Sequence, residues 1–288
     1  MTAPAPAGVL GPVLDAAAAR LRDAGVEGAR RDARLLLGAA LGEPPARIMA
    51  RPERPLSHAE LARAEASIAR RARREPVSRI LGRREFWGLE FAVTPDTLDP
   101  RADSETLVAA VLKHIGDRSA RLDILDLGTG TGCLLLALLS ELPGARGLGI
   151  DISAAALEVA RGNARRLGLG ARARFEQRSW AEGLSGFWQV IVSNPPYIIE
   201  AQIGALSPEV ALYEPRLALA AGSDGLDAYR ELLPQLTRLT APGGIVAVEI
   251  GAGQGDAVAH IMGRAGLSVS AVARDLAGTE RCLLAAGQ

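Results

Sequence analysis

The sequence predicts an α/β protein: a doubly wound sheet preceded by a small helical bundle and a β-hairpin. In the first 75 or so residues, apolar side chains recur at three-to-four spacing, which is typical of amphipathic helices. A short aromatic segment follows. From about residue 106, short apolar runs alternate with helical segments, which predicts parallel strands with helices on both faces of the sheet.

The N-terminal helices are predicted from spacing and from start and stop residues. Residues 10–21 and 33–41 carry the apolar spacing, and Ser57 and Glu60 fit a capping box at the start of another helix. The Ala/Arg/Glu-rich run that follows favours a helix, and Pro76 stops it. We expect three or four short helices here.

A hairpin is predicted next, because residues 85–93 concentrate two of the four phenylalanines around Gly88. We therefore expect three domains: a helical one at 1–78, a β-hairpin linker at 79–105, and an α/β domain at 106–288.

The α/β domain is predicted from the alternation of short apolar runs with helical segments. Strands are expected at 122–127, 147–150, 173–177, 190–193, 244–250, 267–272 and 281–285, and helices at 133–142, 153–167, 225–239 and 255–265.

Composition excludes several classes of protein. Apolar residues make up 48% of 288 and charged residues 23%, which is ordinary for a globular chain. The two cysteines are too few for a disulfide scaffold or a zinc cage. No apolar run reaches the roughly 18 residues of a membrane span, and residues 1–8 lack the basic start of a secretion signal. We expect a cytoplasmic protein.

The net charge of zero hides an asymmetry. Residues 1–86 hold 16 arginines and 10 acidic residues, whereas the remaining residues hold 17 basic and 23 acidic ones. The basic part either attracts an anionic partner or forms solvated helix faces.

A glycine-rich turn marks a nucleotide-like site. After the first strand of the α/β domain come Asp126-Leu127-Gly128-Thr129-Gly130-Thr131-Gly132, and Asp151 ends the next strand, 19 residues beyond Gly132. Glycines let the backbone approach a ligand closely, and a carboxylate at that strand end can accept from both ribose hydroxyls of an adenosine. The glycines are spaced G-x-G-x-G, not G-x-G-x-x-G as in the dinucleotide fingerprint. Asp126 either faces the ligand or is a solvated strand-end carboxylate.

A rigid turn follows a later strand at the same edge of the sheet. Its residues are Asn194-Pro195-Pro196-Tyr197. Two prolines fix φ twice and leave acceptors exposed: the Asn194 side-chain oxygen and the Pro195 carbonyl. Two acceptors can hold both hydrogens of a planar NH₂ group and stabilise the positive charge that develops when its nitrogen is methylated.

Glycine-rich loops preceded by an acidic residue resemble those of S-adenosylmethionine (SAM) methyltransferases, and Asn-Pro-Pro-Tyr resembles the amino-group methyltransferases. Other segments resemble the PrmC/HemK family: 76–82, 85–88, 100–105, 194–198, 213–215 and 222–226. The resemblance implies a Rossmann-like class I methyltransferase sheet with an antiparallel last strand. It also implies transfer of a methyl group from SAM to N5 of the glutamine in the Gly-Gly-Gln loop of class I peptide-chain release factors, giving S-adenosylhomocysteine and tuning translation termination. The helical domain at 1–78 would then bind the release factor.

The resemblance also assigns site residues. Catalytic roles go to Asn194, Pro195 and Tyr197, with Pro196 completing the substrate site. The SAM site takes Asp126, Gly128, Thr129, Gly130, Thr131, Gly132, Asp151, Trp180 and Asn194. The alternative interpretation is that Trp180 is an ordinary core residue.

This sequence departs from the family at three positions. Ala102 and Ser104 stand where Pro and Thr are usual, and Ser179 replaces a common Asp before the adenine-packing residue. A serine hydroxyl accepts more weakly than a carboxylate.

Other interpretations remain. A methyltransferase for nucleic-acid amines would need a basic gripping surface, and the acidic C-terminal two-thirds argue against it. A non-catalytic SAM- or NAD-binding module would not need Asn194 with both prolines. We expect no membrane, nucleic-acid or metal partner. Residues 199–221 are expected to be a long irregular stretch that closes over a protein loop, and Glu249 is either structural or a substrate contact.

Overall fold

The computed structural model describes residues 8–287, which form two compact units. The first runs up to Gly82 and includes Ser207–Tyr213; the second comprises Arg83–Leu206 and the chain from Glu214 onward. Our expectation of no secretion signal falls mainly on residues 1–7, outside the described part. The predicted domain boundaries at 78 and 105 stay predictions.

The first unit is helical. Its elements are β1 (Gly8–Val9), α1 (Leu10–Asp23), α2 (Ala29–Leu41), α3 (Pro45–Ala50), β2 (Pro55–Leu56), α4 (His58–Ala72) and α5 (Val77–Leu81). The capping box at α4 is confirmed, because the Ser57 N–H donates to Glu60 (2.9 Å) and the Glu60 N–H donates back to the Ser57 hydroxyl (3.3 Å). Helix α4 ends before Pro76, and the sequence analysis missed α3 and α5.

A partly buried ion cluster also holds this unit together. The Arg71 guanidinium donates to Asp32 (2.9 Å) and to Glu209 (2.9 Å), and Arg74 donates to both oxygens of Glu209 (2.7 Å each). Burial alone would raise the pKa of Glu209, but hydrogen bonds from the two arginines lower it to about 2. Glu209 lies in Ser207–Tyr213, so the cluster ties this distant segment into the first unit.

The second unit is the α/β part. Its elements are β3 (Arg83–Phe86), β4 (Leu89–Ala92), α6 (Glu105–His114), β5 (Asp123–Leu127), α7 (Cys133–Glu141), β6 (Arg146–Asp151), α8 (Ala154–Arg166), β7 (Ala173–Gln177), β8 (Trp188–Ser193), α10 (Asp227–Leu236), β9 (Thr240–Glu249), α11 (Gly255–Arg264), β10 (Ser268–Arg274) and β11 (Glu280–Ala286), with α9 (Pro208–Ala211) lying in the first unit.

The sheet confirms the predicted fold class. Seven strands lie in the order β10-β11-β9-β8-β5-β6-β7, and β11 runs in the direction opposite to the other six. Fully buried aliphatic side chains cover both of its faces. The carboxyl ends of β5, β6 and β8 therefore meet at one edge, as ligand-binding α/β sheets require.

The hairpin also forms as predicted. Strands β3 and β4 turn at Trp87 and Gly88, and Phe86 meets Phe91 edge-to-face with ring centroids 6.2 Å apart. Glu105, at the start of α6, accepts the Trp87 backbone N–H at 2.8 Å.

The stretch 199–221 is more ordered than expected. It contains short helical turns at Glu200–Ala205, Pro208–Ala211 and Arg216–Ala218, so the prediction of an irregular stretch was wrong in this respect. Its closing over a protein loop stays a prediction. No helix within residues 8–287 combines the length and the apolar character needed to cross a bilayer.

Candidate active site

A cavity of about 520 Å³ opens in the second unit where β5, β6, β7 and β8 end. Its volume is in the range of sites for small-molecule ligands. Of the predicted site residues, those that line it are Gly128, Thr129, Gly130, Thr131, Asp151, Trp180, Asn194 and Pro196. Asp126, Gly132, Pro195 and Tyr197 are not in its wall.

The glycine-rich loop forms the floor between β5 and α7. Gly128, Gly130 and Gly132 have φ of 74°, 53° and 81°, a region that side chains other than glycine enter at a cost. The N–H groups of Gly128 and Thr129 both donate to the Ile150 carbonyl at 2.9 Å, which fastens the loop to β6. The backbone is thereby exposed to the cavity without side chains over it.

Asp151 is held in one orientation at the end of β6. Its Oδ2 accepts the N–H of Gly130 and its Oδ1 accepts the N–H of Ser153, both at 2.9 Å. Each carboxylate oxygen keeps a further lone pair, so the group can still accept from a ligand in the cavity.

Asp126 lies beneath the loop and is fully buried. Its Oδ2 accepts the Thr129 hydroxyl at 2.6 Å, and its Oδ1 has no partner among the described residues. Burial raises the pKa of Asp126 to about 7, although the Thr129 hydrogen bond counteracts part of this shift. The alternative of a solvated carboxylate was wrong, since no surface of this residue reaches solvent.

Trp180 follows β7 with a φ of 48°. Its indole N–H donates to Glu231 on α10 at 2.8 Å, and a Cβ added at Gly128 would lie 3.7 Å from its ring. The side chain both lines the cavity and packs on the core, so the two interpretations of Trp180 are compatible. The sequence analysis missed Glu231, which lies 51 residues from Trp180.

The Asn194 side chain is anchored by a residue distant in sequence. Its Nδ2 donates to the Ser104 hydroxyl at 3.2 Å, which leaves Oδ1 for another partner. Pro195 is buried behind it, while Pro196 lines the cavity. Burial raises the pKa of Tyr197 to about 12, so its hydroxyl stays protonated at neutral pH.

Glu249 lies at the end of β9 and is only 2% exposed. Burial raises its pKa to about 7, and hydrogen bonding from Ser104 lowers it again in part. Glu249 is not among the residues that line the cavity.

Within residues 8–287, no three or more His, Cys, Asp or Glu side chains are grouped so that they could hold a metal ion.

Comparison with known proteins extends these observations. Residues 13–82 match the family model described as the PrmC N-terminal domain, and residues 118–264 match a methyltransferase domain. A methyltransferase crystal structure from Pyrococcus furiosus covers 70% of this chain and 90% of its own, with a TM-score of 0.51 and 19% identity. Together with the sheet order, this assigns the second unit to the class I methyltransferase fold.

Relatives in sequence are closer. The release factor glutamine methyltransferase of Rhodospirillum rubrum is 53% identical over 280 residues, which is 96% of this chain and 85% of the relative. That of Bradyrhizobium diazoefficiens is 48% identical over 271 residues, 93% and 91% of the two chains. The chain therefore belongs to the release factor glutamine methyltransferase family.

Proposed function

We propose that this protein transfers a methyl group from SAM to the N5 amide nitrogen of the glutamine in the Gly-Gly-Gln loop of class I peptide-chain release factors. The reaction would tune translation termination and take place in the cytoplasm. Family membership supports the reaction and its release-factor substrate. Within the site, the proposal rests on one observation: the Asn194 side chain is anchored through its Nδ2 beside the glycine-rich loop.

The cavity suits SAM in three respects. Gly128 leaves open the space that a side chain would fill between Trp180 and the Asn194 carbonyl. Asp151 offers a fixed carboxylate for a ribose diol, and the unpartnered oxygen of buried Asp126 supplies negative character below the loop. When bound, SAM supplies an electrophilic methyl group on a positively charged sulfur.

The protein's own residues would orient the substrate amide and stabilise the charge that develops on it. The Asn194 Oδ1 and the Pro195 carbonyl would accept the two hydrogens of the substrate amide and thereby orient its nitrogen. An amide nitrogen is a weak nucleophile because its lone pair is delocalised, so this alignment supplies a large part of the rate acceleration. The same acceptors stabilise the positive charge that develops on nitrogen.

No strong base is needed. The methylated nitrogen is acidic, so water can take its proton. Tyr197 then frames the substrate as a neutral phenol, which agrees with its raised pKa. We further propose that the enzyme acts on the release factor without binding nucleic acid.

Mass spectrometry of a purified class I release factor, incubated with this enzyme and SAM, tests the proposal. We expect a gain of one methyl group on the loop glutamine, and its loss with Asn194→Ala at unchanged SAM binding. Methylation of nucleic-acid amines instead, or an Asn194→Ala enzyme with full activity, would contradict the proposed reaction or the role of Asn194.

A further inference from the structure

Three polar side chains run from the cavity wall into the interior of the second unit. The Asn194 Nδ2 donates to the Ser104 hydroxyl at 3.2 Å. Ser193 pairs with Val248 in the sheet, so Glu249 lies on the strand beside Asn194, and the Ser104 hydroxyl is close enough to lower the pKa of its carboxyl group. Ser104 is 3% exposed and Glu249 is 2% exposed, and only Asn194 and Ser104 border the cavity. A buried carboxyl group is costly, so its place behind the proposed substrate-binding residue calls for an explanation.

The number of protons that each of the three groups can donate explains why the carboxyl group lies there. A side-chain amide can present either its oxygen or its NH₂ group to a ligand, and its fixed partner decides which. A serine hydroxyl has one proton to donate. If Glu249 is ionised it can only accept, so Ser104 donates to Glu249 and has only lone pairs left for Asn194. Asn194 must then turn its NH₂ group to Ser104 and its Oδ1 to the cavity.

A protonated Glu249 removes this constraint. It can donate to Ser104, whose own proton is then free to point at Asn194. That arrangement favours the opposite orientation of the Asn194 side-chain amide, in which its NH₂ group faces the cavity. An NH₂ group there would oppose the NH₂ group of a substrate amide, donor against donor.

We propose that Ser104 and Glu249 are positioning residues that hold the Asn194 side-chain amide with its oxygen toward the substrate. This inference rests on the proposed function, because it assumes a substrate amide that needs acceptors. Neither residue contacts the reacting atoms. Both act through Asn194.

The surroundings of Glu249 determine the pH at which the arrangement would fail. The groups that face it electrostatically are Asp103, Cys133, Tyr197, Tyr229, Arg281 and Cys282. Burial raises the pKa values of both thiols and both phenols, so these groups stay neutral near pH 7. Arg281 is paired with Asp103 (3.0 Å) and Asp275 (2.8 Å). Burial places the pKa of Glu249 at about 7, so this carboxyl group is the member of the set that changes charge there.

The test is kcat at saturating SAM and saturating release factor between about pH 6 and pH 8. For the unmodified enzyme we expect kcat to rise about five- to tenfold over this range, as Glu249 ionises. Ser104→Ala should lower kcat about 10- to 100-fold at pH 8 with little change in SAM affinity, and should flatten the pH profile. Ser104→Thr keeps the hydroxyl and should restore both rate and profile. Glu249→Gln should make kcat independent of pH over this range, because an amide does not titrate there.

Ser140→Ala is the matched control, because this serine is exposed on α7 and donates only to the Ala137 carbonyl. Melting temperatures and SAM affinity of each variant establish that it is folded. Ser104→Ala with unchanged kcat and an unchanged pH profile would overturn the positioning role while leaving the proposed function intact. Absence of methylation by the unmodified enzyme would instead count against the proposed function.

Discussion

Removal of the Asp151 carboxylate is the sharpest test of how the cavity holds its ligand. Both oxygens are already fixed by backbone N–H groups of Gly130 and Ser153, so the group is oriented before any ligand arrives. A hydrogen bond to a charged group contributes about 1.5–3 kcal/mol. Two ribose hydroxyls would therefore contribute at least about 3 kcal/mol, and a tenfold change in affinity corresponds to about 1.4 kcal/mol. We expect Asp151→Ala to weaken S-adenosylhomocysteine binding by about 100-fold or more.

Calorimetry with ribose-modified ligands separates direct contact from loop damage. Asp151→Ala also leaves two backbone N–H groups without an acceptor, which could loosen the loop. The 2′-deoxy and 3′-deoxy forms of S-adenosylhomocysteine should each bind the unmodified enzyme about tenfold or more weakly, but should lose little against the variant. Asp256→Ala, an exposed acidic residue at the start of α11, serves as the control.

One outcome would contradict a contact between Asp151 and the ribose. If the deoxy ligands lose as much affinity for the Asp151→Ala variant as for the unmodified enzyme, Asp151 does not contact the ribose. Its role would then be confined to holding the glycine-rich loop through Gly130.

Three further predictions concern Asp126, Glu209 and Gly149. Asp126→Asn should abolish a roughly tenfold weakening of SAM binding between pH 8 and pH 6, seen by calorimetry, because burial raises the pKa of Asp126 to about 7 and the ionised form favours the cation. Glu209→Ala should cost about 1–3 kcal/mol in urea unfolding by leaving buried Arg71 short of an acceptor. The pKa of Glu209 is lowered in the folded state, so this difference is full above pH 4.5 and disappears as the pH falls toward 2. Gly149→Ala should lower the melting temperature, since its Cβ would lie 2.7 Å from the Phe175 ring.

The parts of the site predicted correctly are those encoded within a few residues. Glycines at 128, 130 and 132 are needed because their φ values are positive, and the sequence displays that need directly. The Asn194-Pro195-Pro196 turn is likewise specified by its own covalent geometry. Strand and helix alternation placed both segments at one edge of the sheet without any knowledge of side-chain contacts.

The parts that were missed depend on contacts between distant segments. Ser104 meets Asn194 across 90 residues and Glu231 meets Trp180 across 51, so no local pattern indicates either pair. The burial of Asp126 was missed for a similar reason, because a carboxylate at a strand end is usually solvated. Helix α6 follows the hairpin directly, and its predominantly apolar residues were not recognised as a separate element.

The arrangement divides two tasks between two kinds of backbone. Glycines form the ligand floor, where the absence of side chains gives close approach, whereas prolines form the turn that would orient the substrate amide. Methylation of an amide demands orientation more than basicity, because the nitrogen is already uncharged and its product releases a proton readily. No histidine or lysine lines the cavity within the described residues. Four acidic residues do, and each already accepts a hydrogen bond: Asp151 and Glu231 from N–H groups, Asp227 from Arg230 and Asp96 from the Thr94 hydroxyl. A site with rigid acceptors and no free base is therefore matched to transfer onto a carboxamide. By the same reasoning, substitutions in the glycine loop should act on SAM affinity, and substitutions at Asn194 should act on the rate of transfer.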